Sequence, residues 1–191
     1  MNSEWVNDLK NTLPAIELLK SKVFKNKIEI QTTEYKDEII FKWLDQLSGI
    51  DYIAKRQDNQ LITIACRIQW DVNYQTFTIR FKRVTGTKTE FDKRIEAIEN
   101  DYLYPTFTMQ AYLNKNPLKL LDCALIKTDI LYRFIKRHLN DKNLIFENIA
   151  NKEGNKFKYV KWDSLKNSPS FWQYGSKHKK LITPNQLKLL F

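Results

Sequence analysis

Between Leu61 and Arg83 two runs alternate polar with apolar side chains: Thr63, Ala65, Arg67 and Gln69 in the first, Thr76, Thr78, Arg80 and Lys82 in the second. No acid occurs from Thr63 to Trp70 or from Gln75 to Arg83. Such a face suits phosphate, because guanidiniums offer paired N–H donors to its oxygens and threonine hydroxyls fill the remaining positions. The ordinary reading of the alternation is the solvated side of an antiparallel sheet, although a solvated face usually mixes charge signs. Glu90 and Lys93 complete the site if the N-terminus of their helix points into this face. Otherwise Glu90 and Arg94, four residues apart, form a surface pair worth roughly a few tenths of a kcal/mol.

The elements that must position these residues are legible from periodicity and caps. Residues 60–70 place Ile62, Ile64, Cys66, Ile68 and Trp70 on one face, and residues 75–83 do the same with Phe77, Ile79 and Phe81. The connection between the runs is so short that they read as an antiparallel hairpin, with Gln69 opposite Thr76, Arg67 opposite Thr78 and Ala65 opposite Arg80. Before them, Ser3 and Pro14 predict short helices over 4–11 and 14–22, and residues 27–32 a short strand. Thr33 reads as the N-cap of a helix over 34–47, whose Ile39, Ile40, Trp43, Leu44 and Leu47 form one apolar stripe and which Gly49 stops. Residues 50–55 then read as a strand.

Downstream, Thr89 and Asp92 form a capping box for a helix over 90–99. Residues 106–112 read as a strand, 117–126 as helix or strand, and Thr128-Asp129 as the cap of a helix to His138. Residues 156–162 read as a late strand and 166–180 as a loop or arm. The fold class expected is α/β or α+β: a single domain with a mixed sheet, a central antiparallel hairpin and flanking helices. Residues 1–150 form the core, and 151–191 a basic, aromatic extension packed on it or extending from it.

A capped helix, then Gly49-Ile50-Asp51 opening a strand, then an apolar strand about ten residues later, resembles the core of the PD-(D/E)xK nuclease superfamily over residues 33–83. The resemblance implies a metal-dependent phosphodiesterase in which carboxylates hold Mg²⁺ and a cation stands beside the attacking water. Asp51 matches the first carboxylate; the second motif falls on Ala65-Cys66-Arg67-Ile68-Gln69, with Ala65 in place of the acid and Arg67 in place of the lysine. Arginine keeps a phosphate-binding charge but hardly deprotonates. On this reading Asp51, Arg67 and Gln69 are catalytic, and Asp51 and Asp37 are the metal ligands. Asp37 flanks the apolar stripe whereas Glu38 lies opposite it, and Asp71 at the strand's end is a further acid on the Arg67 side.

Composition narrows the rest. The 191 residues carry 32 Lys+Arg against 22 Asp+Glu, a net charge of +10, of which +7 falls in residues 151–191. There lysines, among them Lys177, Lys179 and Lys180, alternate with Trp162, Phe171, Trp172 and Tyr174, the composition of a surface that neutralises phosphates and stacks bases. The alternative is a solubilising face over core aromatics. Four dispersed glycines argue against a phosphate-cradling loop, Thr85-Gly86-Thr87-Lys88-Thr89 included. Cys66, Cys123, His138 and His178 lack zinc-ligand spacing and read as reduced thiols and isolated imidazoles.

With no long apolar run and no signal-peptide pattern, the expectation is a cytoplasmic protein that binds nucleic acid and does not enter a membrane. Three functions fit, in this order: a restriction-endonuclease-like phosphodiesterase, a nucleic-acid-binding module that has lost catalysis, and a phage- or plasmid-type protein-interaction or inhibitor protein. The sequence leaves oligomeric state and a protein partner open.

Overall fold

Each strand's place follows from which apolar face it must hide. The computed structural model describes residues 3–24, 29–33, 38–55, 59–83, 85–149 and 155–175. Four helices are present, α1 (Ser3–Lys22), α2 (Ile39–Gln46), α3 (Glu90–Glu99) and α4 (Thr128–Arg137). The strands are β1 (Glu29–Thr32), β2 (Tyr52–Lys55), β3 (Leu61–Trp70), β4 (Thr76–Lys82), β5 (Phe107–Asn114), β6 (Lys119–Lys127), β7 (Ile145–Ile149), β8 (Lys156–Lys161) and β9 (Phe171–Gly175).

Six strands form a mixed sheet in the order β1-β2-β3-β5-β6-β9, and three form an antiparallel sheet in the order β4-β8-β7. The fold is α/β, and its central antiparallel hairpin is β5–β6, flanked by helices. One core lies between α1 and the large sheet, where Leu19, Val23 and Phe24 meet Ile62, Ile64, Phe107, Met109 and Leu125. The other lies on the opposite face, where Tyr112, Ala124 and Ile126 meet Phe77 and Ile79 of β4, Val160 of β8 and the apolar sides of α3 and α4.

This arrangement corrects the expected β3–β4 hairpin. Both edges of β3 are taken, by β2 antiparallel and by β5 parallel, so β4 cannot pair with it and instead pairs with β8. The apolar residues of the two strands fill cores on opposite sides of the large sheet, which no single hairpin permits. The chain leaves the sheet at Asp71 (φ 58°) and re-enters at Gln75 (φ 51°), both in the left-handed region. The crossover through α3 makes β3 and β5 parallel, as that connection requires.

Other expectations change too. The two N-terminal helical pieces are one helix running through Pro14. Thr33 is not the cap of α2; its hydroxyl donates to the Ile50 carbonyl and its amide to the Asp51 carbonyl at 2.9 Å, while the N-cap of α2 is Glu38, without a side-chain bond. The apolar stripe of α2 faces outward, with Ile39 62%, Trp43 55% and Leu47 68% exposed. The N-cap of α4 is Lys127, and Thr128 is the first helical residue, its hydroxyl 2.9 Å from that of Thr108. The stretch read as an arm contains β9, which pairs with β6, and β8 pairs with both β4 and β7, so residues 155–175 contribute to both sheets. The α3 capping box forms as expected. No described helix is long and apolar enough to cross a membrane.

Candidate functional site

Because β4 is displaced, the polar side of β3 and β5 is covered by no partner strand, and its β3 residues are partly buried. It looks onto the open edge of β4. Alternate amides of that edge are satisfied by side chains: Thr76 N–H by the Tyr112 hydroxyl (3.1 Å), Thr78 N–H by Gln110 Oε1 (3.4 Å) and Arg80 N–H by Glu90 Oε2 (3.4 Å). An unpaired edge would otherwise leave buried donors without partners.

Between the two sheets a cavity of about 200 Å³ remains. Asp51, Ala65, Cys66 and Arg67 line it from β3 and the approach to β2, Thr108 and Gln110 from β5, Thr78 and Ile79 from β4, and Glu90 and Arg94 from α3. Each charged group is held by a specific contact. Asp51 Oδ2 accepts from the Cys66 amide at 2.5 Å, which fixes the carboxylate at the head of β2. Glu90 Oε2 accepts from Arg67 Nη2 at 2.8 Å, and Oε1 from the Tyr132 hydroxyl at 2.7 Å. Burial first, and the Glu90 charge second, hold the Tyr132 phenol well above the usual tyrosine range, so it is a neutral donor. Arg94 Nη2 donates to the Gly49 carbonyl at 2.6 Å and Nη1 to that of Ser48. Gly49 is required twice over, by its φ of +53° and because a Cβ would stand 2.6 Å from Arg94 Nη2.

Glu90 and Arg94 are therefore not a surface pair; each turns into the site, toward Arg67 and the Gly49 turn respectively. Three buried polar groups among the lining residues have no hydrogen-bond partner, Gln110 Nε2, the Thr78 hydroxyl and Arg94 Nε. Gln110 is 1% exposed.

Arg67 also connects the cavity to the outer face of the small sheet. The register aligns Arg80 with Phe157, Thr78 with Tyr159 and Phe146, and Thr76 with Lys161, so these side chains share one face. The Arg67 and Arg80 guanidiniums lie 5.6 and 5.7 Å from the centre of the same ring, Phe157, and Lys161 Nζ lies 4.7 Å from that of Phe146. Tyr74 stands beside this face, 63% exposed. Burial raises the Tyr159 phenol, against the pull of Arg67.

The expected site residues thus divide. Asp51, Arg67, Thr78 and Glu90 come together in the cavity. Arg80 joins Arg67 over Phe157, and Gln69 remains on β3, partly buried. Lys82 is exposed at the end of β4, and Lys93 is turned to the Gln46 carbonyl at 3.2 Å. Asp71 lies apart, its carboxylate accepting from the Lys115 amide at 2.9 Å. Asp37, Lys177, Lys179 and Lys180 fall outside the described residues. Sequence reasoning passed over Gln110, Tyr132 and Phe157. Gln110 sits in the alternating strand read over 106–112 and Tyr132 in the helix read from Thr128, and neither position was marked for a site, whereas Phe157 between Lys156 and Lys158 carried a visible basic-aromatic signal.

For Mg²⁺ the donor set fits poorly. Both Glu90 oxygens already accept from protein donors, and Ala65 contributes no oxygen. Among the described residues no group of three or more His, Cys, Asp or Glu side chains is placed to hold a metal ion. No known family model matches the chain, and no match was found among curated proteins or solved structures.

Proposed function

We propose that the protein binds single-stranded nucleic acid across the outer face of the β4-β8-β7 sheet. The observation that carries this reading is the pair of guanidiniums over Phe157 in a face that also holds Tyr159, Phe146 and Lys161. Arginine and lysine meet phosphate oxygens, while aromatic rings offer π-faces to unpaired bases. A duplex keeps its bases stacked internally, so this mixture favours a single strand.

Fluorescence anisotropy with a labelled single-stranded oligonucleotide tests it. If Arg80 and Lys161 each meet one phosphate while Arg67 is held by Glu90, the logarithmic salt slope is about −1.4, from roughly −0.7 per contact. Phe157→Ala removes a stacking ring and lowers affinity by about 1–3 kcal/mol, or about fivefold to 150-fold. No binding, or binding indifferent to Phe157→Ala, overturns the proposal.

A second reading, a metal-dependent phosphodiesterase, rests on Asp51 and Glu90 lining one cavity with Arg67, and it requires Glu90 to give up its bonds to Arg67 and Tyr132 to a metal ion. Its test is incubation with single-stranded and plasmid DNA, and with RNA, in Mg²⁺ or Mn²⁺. Cleavage abolished by Asp51→Ala supports it, and absence of cleavage removes it.

A further inference from the structure

The cavity behind Arg67 is built for a neutral polar ligand. Two carboxylates, Asp51 and Glu90, and two guanidiniums, Arg67 and Arg94, line it, so an incoming phosphate meets as much negative charge as positive. Phosphate is better accommodated on the sheet face, where Arg80 lies over the Phe157 ring and Lys161 over that of Phe146. The volume of about 200 Å³ equals six or seven waters at about 30 Å³ each, or one planar ring system.

The unmet hydrogen bonds describe that ring. Gln110 Oε1 accepts from the Thr78 amide, which fixes the amide orientation and leaves the two Nε2 donors without a partner. They demand an acceptor, as a carbonyl oxygen provides. The Thr78 hydroxyl is equally unpartnered and can donate or accept. The Asp51 carboxylate in the same cavity favours an N–H donor on the ligand. Leaving such groups unmatched in a buried site costs about 1–3 kcal/mol each, which a matching ligand recovers.

We infer that the cavity is a nucleobase pocket. It takes one base that presents a carbonyl oxygen beside an N–H donor, turned out of a strand lying on the adjoining sheet face, and guanine qualifies with its ring carbonyl beside a ring N–H. Adenine, which has no carbonyl, is rejected. Arg67 connects the two surfaces, lining the cavity and lying over Phe157. The inference rests on the single-strand reading only for how the base arrives; the pocket itself is tested without a strand.

The test is calorimetric titration of the full chain with guanosine, cytidine, uridine and adenosine at up to millimolar concentration. Guanosine binds and adenosine does not. Thr78→Val removes a buried hydroxyl with no partner in the unliganded protein, so it does not lower the melting temperature while weakening guanosine at least fivefold. Gln110→Met weakens it at least tenfold, and Thr78→Val serves as the readout if that variant does not fold. Oligonucleotide binding without nucleoside binding overturns the pocket and leaves the sheet-face reading standing. Nucleoside binding that includes adenosine, or that neither variant weakens, also overturns the pocket. Guanosine binding without oligonucleotide binding keeps the pocket and overturns the sheet face.

Discussion

Replacing Glu90 by glutamine should make the protein less stable and a tighter ligand for single strands at the same time. Glu90 is the acceptor for Arg67, for the buried Tyr132 hydroxyl and for the Arg80 amide, at 2.8, 2.7 and 3.4 Å. Glutamine keeps one oxygen but turns an NH₂ toward a remaining donor, so one contact becomes donor against donor. Hydrogen bonds to a charged group are worth about 1.5–3 kcal/mol each. The Arg67 and Glu90 side chains are 30% and 25% exposed, so the loss falls in the lower part of that range, about 2 kcal/mol. For a chain of this size each kcal/mol lowers the melting temperature by about 2–4 °C, giving a drop of about 4–8 °C.

Meanwhile the Arg67 guanidinium loses its counter-charge but keeps the Phe157 ring beneath it. A cation released from its partner adds at most one phosphate contact, steepening the logarithmic salt slope by about 0.7 and tightening binding at low salt. Thermal melts and anisotropy across a salt series read the two effects separately. Arg67→Met in the Glu90→Gln background must cancel the gain in affinity, a coupling expected only for groups in contact. A loss of stability with no change in salt slope would refute the placement of Arg67 on the phosphate path. Unchanged stability would refute the described network around Glu90.

Three further outcomes follow from the same geometry. Gly49→Ala forces a side chain into a left-handed turn and against Arg94, so urea unfolding should show a loss of about 1–3 kcal/mol. Burial raises Cys123, Tyr112 and Tyr132, which stay protonated in the fold, while the unfolded chain ionises near about pH 8.5 for the thiol and about 10 for the phenols. Their contribution to stability is therefore complete below about pH 8.5 and is lost as pH rises, by about 1.4 kcal/mol per pH unit for each group once its unfolded form is ionised; denaturation midpoints that stay flat from pH 8 to 11 would contradict it. Trp43→Ala on the outward stripe of α2 should cost under about 0.5 kcal/mol, against the roughly 3–5 kcal/mol of a core tryptophan.

What the sequence discloses and what it withholds divide along a physical line. Signals carried within a few residues of one another survive in the structure: the Thr89–Asp92 capping box, the left-handed Gly49, and the alternation that makes β3 and β4 strands. Pairing is decided at a distance. β3 and β4 have matching alternation and a short connection, yet the two strands serve different cores, because α1 needs one face of the large sheet and α3 and α4 need the other. The stripe on α2 shows the same limit, since amphipathic spacing says which residues share a face but not whether anything covers it.

The missed pairing is also what makes the site. Had β4 joined β3 in a hairpin, its amides would have met β3 carbonyls, and Gln110, Tyr112 and Glu90 would have had no backbone edge to satisfy. Set apart, β4 leaves a gap of side-chain length, bridged at three alternate residues and open where Ala65 is too small to reach across. A larger side chain at position 65 would close that gap. Ala65→Leu should therefore abolish guanosine binding while single-strand affinity through Phe157, Arg80 and Lys161 persists. Guanosine binding that survives Ala65→Leu in a folded protein would show that the space beside Ala65 is not where the base goes.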